Sequence, residues 1–137
     1  MNNYVIYTDG AYSSNRNQGG IGIIILKNDK LILEYSTSFS NLTINQLELL
    51  AIIYALKFIK KDVDSITIYS DSMYCIGPLN NNWKIKSNQK FWKLFAQEYN
   101  RVKSLCSNIK FEHIKGHNNN YWNDYVDKLA VKSSQLI

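Results

Sequence analysis

Apolar and polar positions divide the chain into runs of two periods. Tyr4 to Ala11 reads YVIYTDGA, an aromatic and β-branched run with Tyr4, Ile6 and Thr8 on one side of a strand and Val5, Tyr7 and Asp9 on the other. It ends in a carboxylate followed by glycine. After a polar stretch without periodicity, Tyr12 to Gly20, comes GIGIIILKNDKLILEYSTSF, in which two β-rich runs flank Asn28-Asp29-Lys30 and predict a hairpin. Thr43 and Gln46 then stand three apart as a capping box ahead of LELLAIIYALKFIKK, the clearest helix. Leu47, Leu50, Ala51, Tyr54, Ala55 and Phe58 keep helical spacing, and Leu49, Ile52, Ile53 and Leu56 make the remaining positions apolar too. A helix apolar nearly all round belongs inside the domain.

Ser65 to Ser70 (SITIYS) predicts a fourth strand ending at Asp71, and Asp71 to Leu79 a short helix stopped by Gly77-Pro78. A further helix is expected from Asn88 to about Lys103, with Phe91, Phe95 and Val102 inward and Lys90, Lys93, Glu98 and Arg101 exposed. Asn108 to Ile114 reads as a fifth strand. A polar turn, GHNNN, leads to a last helix from near Tyr121, with Trp122, Tyr125, Val126, Leu129 and Ala130 at core spacing. A hairpin-linked trio followed by alternating units implies one α/β domain over residues 1–137. Its sheet is mixed and five-stranded, three antiparallel strands then parallel strands, with helices on both faces.

Composition changes this picture little. The 137 residues are 45% hydrophobic and 20% charged, an ordinary globular balance. The longest apolar stretch, Leu49 to Leu56, is far too short to cross a bilayer, and the N-terminus has no signal pattern, so a soluble, cytoplasmic monomer without membrane contact is expected. Met1 lies so close to the first strand that a freestanding protein is expected. Cys75 and Cys106 have no metal-ligand spacing and read as small core thiols. The net charge of +5 makes a polyanionic partner plausible. Its distribution says more: Lys84, Lys86, Lys90, Lys93, Arg101 and Lys103 share a segment whose only acid is Glu98, while acids occupy strand tips.

Glu48 is the residue hardest to explain structurally, because an unpaired carboxylate in an apolar helix costs several kcal/mol or must hold a proton. Positions one turn away are Ile44, Asn45, Ala51 and Ile52, which excludes a local ion pair and leaves a partner brought by the fold or a bound cation. Asp9 and Asp71 end two strands that can be neighbours. Each acid has a mundane alternative: a turn for Asp9, an N-cap for Asp71, a salt bridge across the fold for Glu48. Together, three converging carboxylates without local cations describe a site for a hard divalent ion such as Mg²⁺.

These residues carry a resemblance over essentially the whole chain. TDGA at 8–11 with GGIG downstream, QLELLA at 46–51, YSDS at 69–72, NW at 82–83 and KGH at 115–117 ahead of an aspartate-bearing helix resemble a type 1 ribonuclease H in order and spacing. The resemblance implies a ribonuclease H-like fold. It implies catalytic carboxylates at Asp9, Glu48, Asp71 and Asp127 that also bind metal, with His117 as the catalytic histidine. Two Mg²⁺ ions, or Mn²⁺ in their place, and endonucleolytic cleavage of the RNA strand of an RNA·DNA hybrid follow, with 5′-phosphate and 3′-hydroxyl products. Asp127 has the family's spacing from His117, and Asp124 stands beside it as a capping or metal-flanking competitor. Asn123 matches the family's helix-start asparagine, and His113, on the fifth strand, reads as structural.

Selection of RNA calls for contacts to 2′ hydroxyls rather than to bases, for which the resemblance offers Asn15 and Asn45, with Thr43 and Gln46 close by. Ile44 and Met73 depart from the family, which often has asparagine and glutamine there. NNNWKIKSNQKFWK, 80–93, stands where many relatives carry a longer basic protrusion; Lys84 and Lys86 are expected either to grip phosphates or simply to be solvated. A non-catalytic hybrid-binding module and a DNA-acting nuclease of the same fold are the alternative readings.

Overall fold

The structure, a computed structural model, describes all residues except 62, 82, 83, 116–119 and 137. Its elements follow the order β1 (Asn3–Ser13), β2 (Gln18–Lys27), β3 (Lys30–Ser40), α1 (Ile44–Lys57), β4 (Ser65–Ser70), α2 (Met73–Asn81), α3 (Gln89–Leu105), β5 (Ile109–His113) and α4 (Tyr121–Ser134). The five strands form one sheet in the order β3-β2-β1-β4-β5. β1, β2 and β3 pair antiparallel, and β4 and β5 join parallel, as the element order implied. Asn28 and Asp29 make the β2–β3 turn with φ of 50° and 69°, the left-handed backbone that lets a two-residue hairpin match strand twist.

Each sheet face carries its own core. Ile6, Ile21, Ile23 and Ile25 pack against α1, α2 and α3 through residues such as Leu47, Ile52, Cys75, Trp92 and Phe95. On the other face Tyr7, Ile24 and Leu26 meet Val126 of α4, with Tyr69, Trp122, Tyr125 and Leu129 around them. α4 lies directly on β2 because two positions there lack side chains: a Cβ at Gly20 would stand 2.4 Å from the Ala130 carbonyl oxygen, and one at Gly22 2.7 Å from that of Val126. The expected capping box opens α1, since the Thr43 hydroxyl accepts from Gln46 N–H at 3.2 Å and Gln46 Oε1 accepts from Thr43 N–H at 2.9 Å.

Two local expectations are corrected. α2 does not stop at Gly77-Pro78 but runs through Pro78 to Asn81. Proline already holds a helical φ and forfeits one intrahelical bond there. The last turn is held from outside, by the Asn80 amide donating to the Phe111 carbonyl on β5. On α3 Phe91 and Phe95 pack into the core as expected, and Trp92 is buried with them; its indole N–H donates to the Tyr74 hydroxyl at 3.1 Å, which makes burial affordable for a polar aromatic. Arg101 is not left in solvent either. Its guanidinium donates to the carbonyls of Leu56 and Ile59 at 2.8 and 2.9 Å, satisfying the end of α1, and pairs with Glu98.

Cys75 and Cys106 are free and buried, and burial pushes the Cys75 thiol up to about 12. No helix among the described residues is long and apolar enough to cross a membrane.

Candidate metal centre

Strand register brings two acids together. In the parallel β1–β4 pair Tyr7 stands opposite Tyr69, their rings stacked with centroids 5.0 Å apart, so Asp9 and Asp71 each follow two residues later, Asp71 just past the end of β4 and Asp9 within β1, which runs on to Ser13 instead of ending at the carboxylate. α1 supplies the third acid. Its backbone crosses β1 at Gly10, where a Cβ would stand 2.8 Å from Glu48 N and 2.9 Å from Leu47 C, distances that only a glycine tolerates. One carboxylate oxygen from each of Asp9, Glu48 and Asp71 lies within 4.8 Å of the others. Asp9 is 3% exposed and Glu48 7%, whereas Asp71 is half-buried.

The Gly10 N–H holds two of these groups, donating to Asp9 Oδ1 at 2.9 Å and to Glu48 Oε1. Asp127 approaches from α4, on the opposite sheet face, and its carboxyl meets that of Asp9. Burial, together with the charges of Asp71 and Asp127, pushes the Asp9 carboxyl up to about 8, while its hydrogen bond with Glu48 works the other way. Glu48 is raised as well, by burial first and then by Asp9 and Asp71. Among the described residues no lysine or arginine pairs with any of the four acids, and both ion pairs there involve Glu98. A crowded, partly buried set of oxygen donors that lacks nitrogen, sulfur and counter-cations fits a hard divalent ion such as Mg²⁺ or Mn²⁺.

The other residues singled out from sequence spread around this centre. His113 Nε2 lies 3.3 Å from the Asp71 carbonyl oxygen, steadying the turn after β4, in keeping with a structural role. His117 lies outside the described residues. Asp124 does not cap α4: Asn120 does, its side chain accepting from Asn123 N–H at 2.9 Å, and it is Asp127 that reaches Asp9. Asn15 and Asn45 are exposed, on the β1–β2 loop and in the first turn of α1. Thr43 and Gln46 are engaged within the protein, for beyond the capping box Gln46 Nε2 donates to Asn88 Oδ1 at 3.1 Å. Lys84 and Lys86 are exposed on the segment between α2 and α3, beside a hollow of about 260 Å³ that Tyr74 and Trp92 also line.

Three participants escaped the sequence reading. The Gly10 amide was signalled only as the glycine of an Asp-Gly pair. Asn88, expected to begin α3, has a left-handed backbone with φ 57° and leaves the helix uncapped, its amide instead linking Gln46 to the Tyr74 hydroxyl. Tyr74 gave no signal, since its role depends on α2 and α3 meeting.

Comparison with known proteins agrees with this geometry. A sequence model of the RNase H family matches residues 1–135. A Ribonuclease H of Trichodesmium erythraeum is 36% identical over 142 residues, spanning 96% of this chain and 88% of that protein. Among solved structures, the N-terminal RNase H domain of a Mycobacterium tuberculosis protein, fused to maltose-binding protein, superposes with a TM-score of 0.80 at 22% identity, covering 98% of this chain and 94% of that one. LC11-RNase H1 in complex with an RNA/DNA hybrid gives a TM-score of 0.76 at 23% identity, covering 95% of each chain.

Proposed function

The chain belongs to the RNase H family, and on that footing we propose that it hydrolyses the RNA strand of RNA·DNA hybrids at a divalent-metal centre held by Asp9, Glu48, Asp71 and Asp127. The observation that carries this reading is the convergence of three carboxylates from β1, α1 and the end of β4 within 4.8 Å. The hybrid as substrate is supported by the RNA/DNA hybrid in the LC11-RNase H1 complex.

Two bound Mg²⁺ ions, or Mn²⁺ in their place, supply an activated water, counter-charge for the transition state and stabilisation of the leaving 3′ oxygen. Asp9, in contact with both Glu48 and Asp127, would be the carboxylate shared between the two ions. Asp71 and Asp127 would hold the ion that activates the water, and Glu48 would help to hold the one that stabilises the leaving group. The Gly10 N–H, shared between Asp9 and Glu48, keeps the two carboxylates turned toward each other. His117 shuttles a proton near neutral pH. Hydrolysis in this sense leaves 5′-phosphate and 3′-hydroxyl ends.

Substrate is selected by its sugars. Asn15 and Asn45, exposed on the β1–β2 loop and in the first turn of α1, contact 2′ hydroxyls across the wide minor groove, with Thr43 and Gln46 shaping the start of α1. One assay tests the whole reading: Mg²⁺-dependent cleavage of RNA·DNA hybrid beside duplex RNA, duplex DNA and single-stranded RNA, with Asp71→Asn as control. Hybrid alone is expected to be cut, and only by the unsubstituted chain. Cleavage of duplex DNA alone would overturn the reading, and hybrid bound without being cut would make the chain a binding module.

A further inference from the structure

Two asparagines distant in sequence join the polar segments beside the carboxylates. The β2–β3 ladder ends with Gln18 opposite Ser40, and immediately beyond it Asn17 and Asn41 turn their chains out of the sheet with left-handed backbones, φ 47° and 62°. Asparagine takes up that conformation more readily than most residues. Asn17 Nδ2 donates to Asn41 Oδ1 at 2.5 Å, and the Asn41 N–H donates to the Asn17 carbonyl at 3.4 Å. At its other end, Asn17 Oδ1 accepts from the Tyr12 hydroxyl at 3.0 Å. One amide is therefore engaged on both sides, by β1 behind it and by the turn before α1 in front. Tyr12, Asn17, Asn41, Leu42, Thr43 and Ile44 line a hollow of about 480 Å³ at this junction.

The strand ladder does not require this contact, since pairing has already ended at Gln18 and Ser40. What it does connect is the loop that carries Asn15 and the turn that leads into Thr43, Ile44 and Asn45. The amide pair adds a side-chain link between the two segments to the single backbone bond from Asn41 to Asn17. We propose that Asn17 and Asn41, with Tyr12 behind them, are positioning residues: their clamp sets the distance between the Asn15 loop and the first turn of α1, and so the width of the slot that receives the sugars of the RNA strand. This rests on the hybrid-hydrolase reading above.

Glycine is the informative replacement, because it removes the amide while keeping the left-handed backbone free of strain. Steady-state cleavage of a hybrid in Mg²⁺ is measured for Asn17→Gly, Asn41→Gly and the double variant, with thermal unfolding to confirm folding. Each single variant is expected to raise KM by about 3- to 10-fold, the scale of one net hydrogen bond. The double variant should be no worse than Asn17→Gly alone, since that substitution already removes the contact to Asn41. Turnover at saturation and the Mg²⁺ dependence should stay within about two-fold, because no carboxylate has moved.

Asn17→Asp should restore KM, because the Asn41 amide can rotate and donate to the new carboxylate. Adding Asn41→Asp should lose it again, with two acceptor-only groups face to face. These two variants carry the test if a glycine variant fails to fold. Glycine variants with unaltered KM, a double variant as poor as both effects combined, or a fall in turnover without a rise in KM would each overturn the clamp. If the unsubstituted chain leaves hybrid intact, the hydrolase reading falls and takes the clamp with it; an active chain with unmoved variants brings down the clamp alone.

Discussion

The Gly10 backbone N–H donates to the Glu48 carboxylate across the contact between β1 and α1, and the absence of a side chain at Gly10 allows that approach. Packing and chemistry thus meet at one position. A methyl group there would stand 2.8 Å from Glu48 N and 3.0 Å from Glu48 Oε1, so α1 must back away and take its carboxylate with it. Gly10→Ala is expected to cost about 1–3 kcal/mol of stability, the usual penalty of overpacking, and to reduce turnover at least about ten-fold. Thermal unfolding and a cleavage assay on the purified variant check both; a variant with parental turnover would show that the close approach does not set the site's geometry.

Asp9 makes the site a burden on the metal-free fold. Its carboxyl is pushed up to about 8 by burial and by the charges of Asp71 and Asp127. The folded chain therefore keeps a proton that the unfolded chain has released, and stability is lost as pH rises from about 4 to about 8. Asparagine cannot ionise. In EDTA near pH 8, Asp9→Asn should unfold at higher temperature than the parent, by about 1–3 kcal/mol or several degrees, and the difference should vanish near pH 4. Activity should be lost at either pH. A lower midpoint for the variant at pH 8 would contradict the assignment of Asp9 as a strained carboxyl.

The same protons compete with the metal. Asp9 and Glu48 are both raised, so divalent ions must displace a proton in order to bind below about pH 8. Apparent Mg²⁺ affinity is expected to rise steadily from about pH 6 to about pH 8 and then level off. Titration calorimetry in two buffers of different ionisation enthalpy should register the released proton at neutral pH. A heat of binding that is independent of the buffer would show that the carboxylates are already ionised.

How far the sequence foretold this arrangement depended on how local each cause is. Asp9 and Asp71 were visible as acids closing apolar runs, though β1 carries on past Asp9 to Ser13, and Glu48 as an acid stranded in an apolar helix, because each anomaly lies within its own segment. The register that sets Tyr7 against Tyr69, and thereby the two aspartates side by side, is a pairing between residues 62 apart in the chain that no periodicity encodes. Gly20 and Gly22 matter only because α4 lies on them. Pro78 was read by its local preference to end a helix, and that preference lost to the Asn80 contact with β5. Arg101 was assigned to solvent by its charge, while its fork reaches another helix's end.

Arg101 yields a prediction separate from catalysis. Its guanidinium satisfies two carbonyls of the α1 terminus, at Leu56 and Ile59, while Nε bonds Glu98 at 3.1 Å. A lysine has the charge but not the planar fork, and cannot serve three acceptors in this geometry. Arg101→Lys and Arg101→Met should both lower unfolding free energy, by about 1–3 kcal/mol, in urea titrations. Turnover of the folded fraction should be unchanged, since the last turn of α1 lies far along the helix from Glu48. If lysine proves as stable as arginine, charge rather than the fork is what the α1 terminus uses.

Lys84 and Lys86 decide whether the segment between α2 and α3 takes part in holding substrate. Both are exposed, neither forms an ion pair among the described residues, and the hollow they border is walled by Tyr74 of α2 and Trp92 of α3. Lysines that touch phosphates release counterions, and their contribution appears as a slope in log affinity against log salt of slightly under one unit per contact. Neutralising both as Lys84→Gln and Lys86→Gln should therefore flatten that slope by about one to two units and weaken hybrid binding most at low salt. Binding is best followed in Ca²⁺ in place of Mg²⁺ at several salt concentrations, with KM measured in parallel in Mg²⁺. Two lysines that only solvate the segment would leave both the slope and KM where they were, and the grip on the hybrid would then have to come from elsewhere on the molecule.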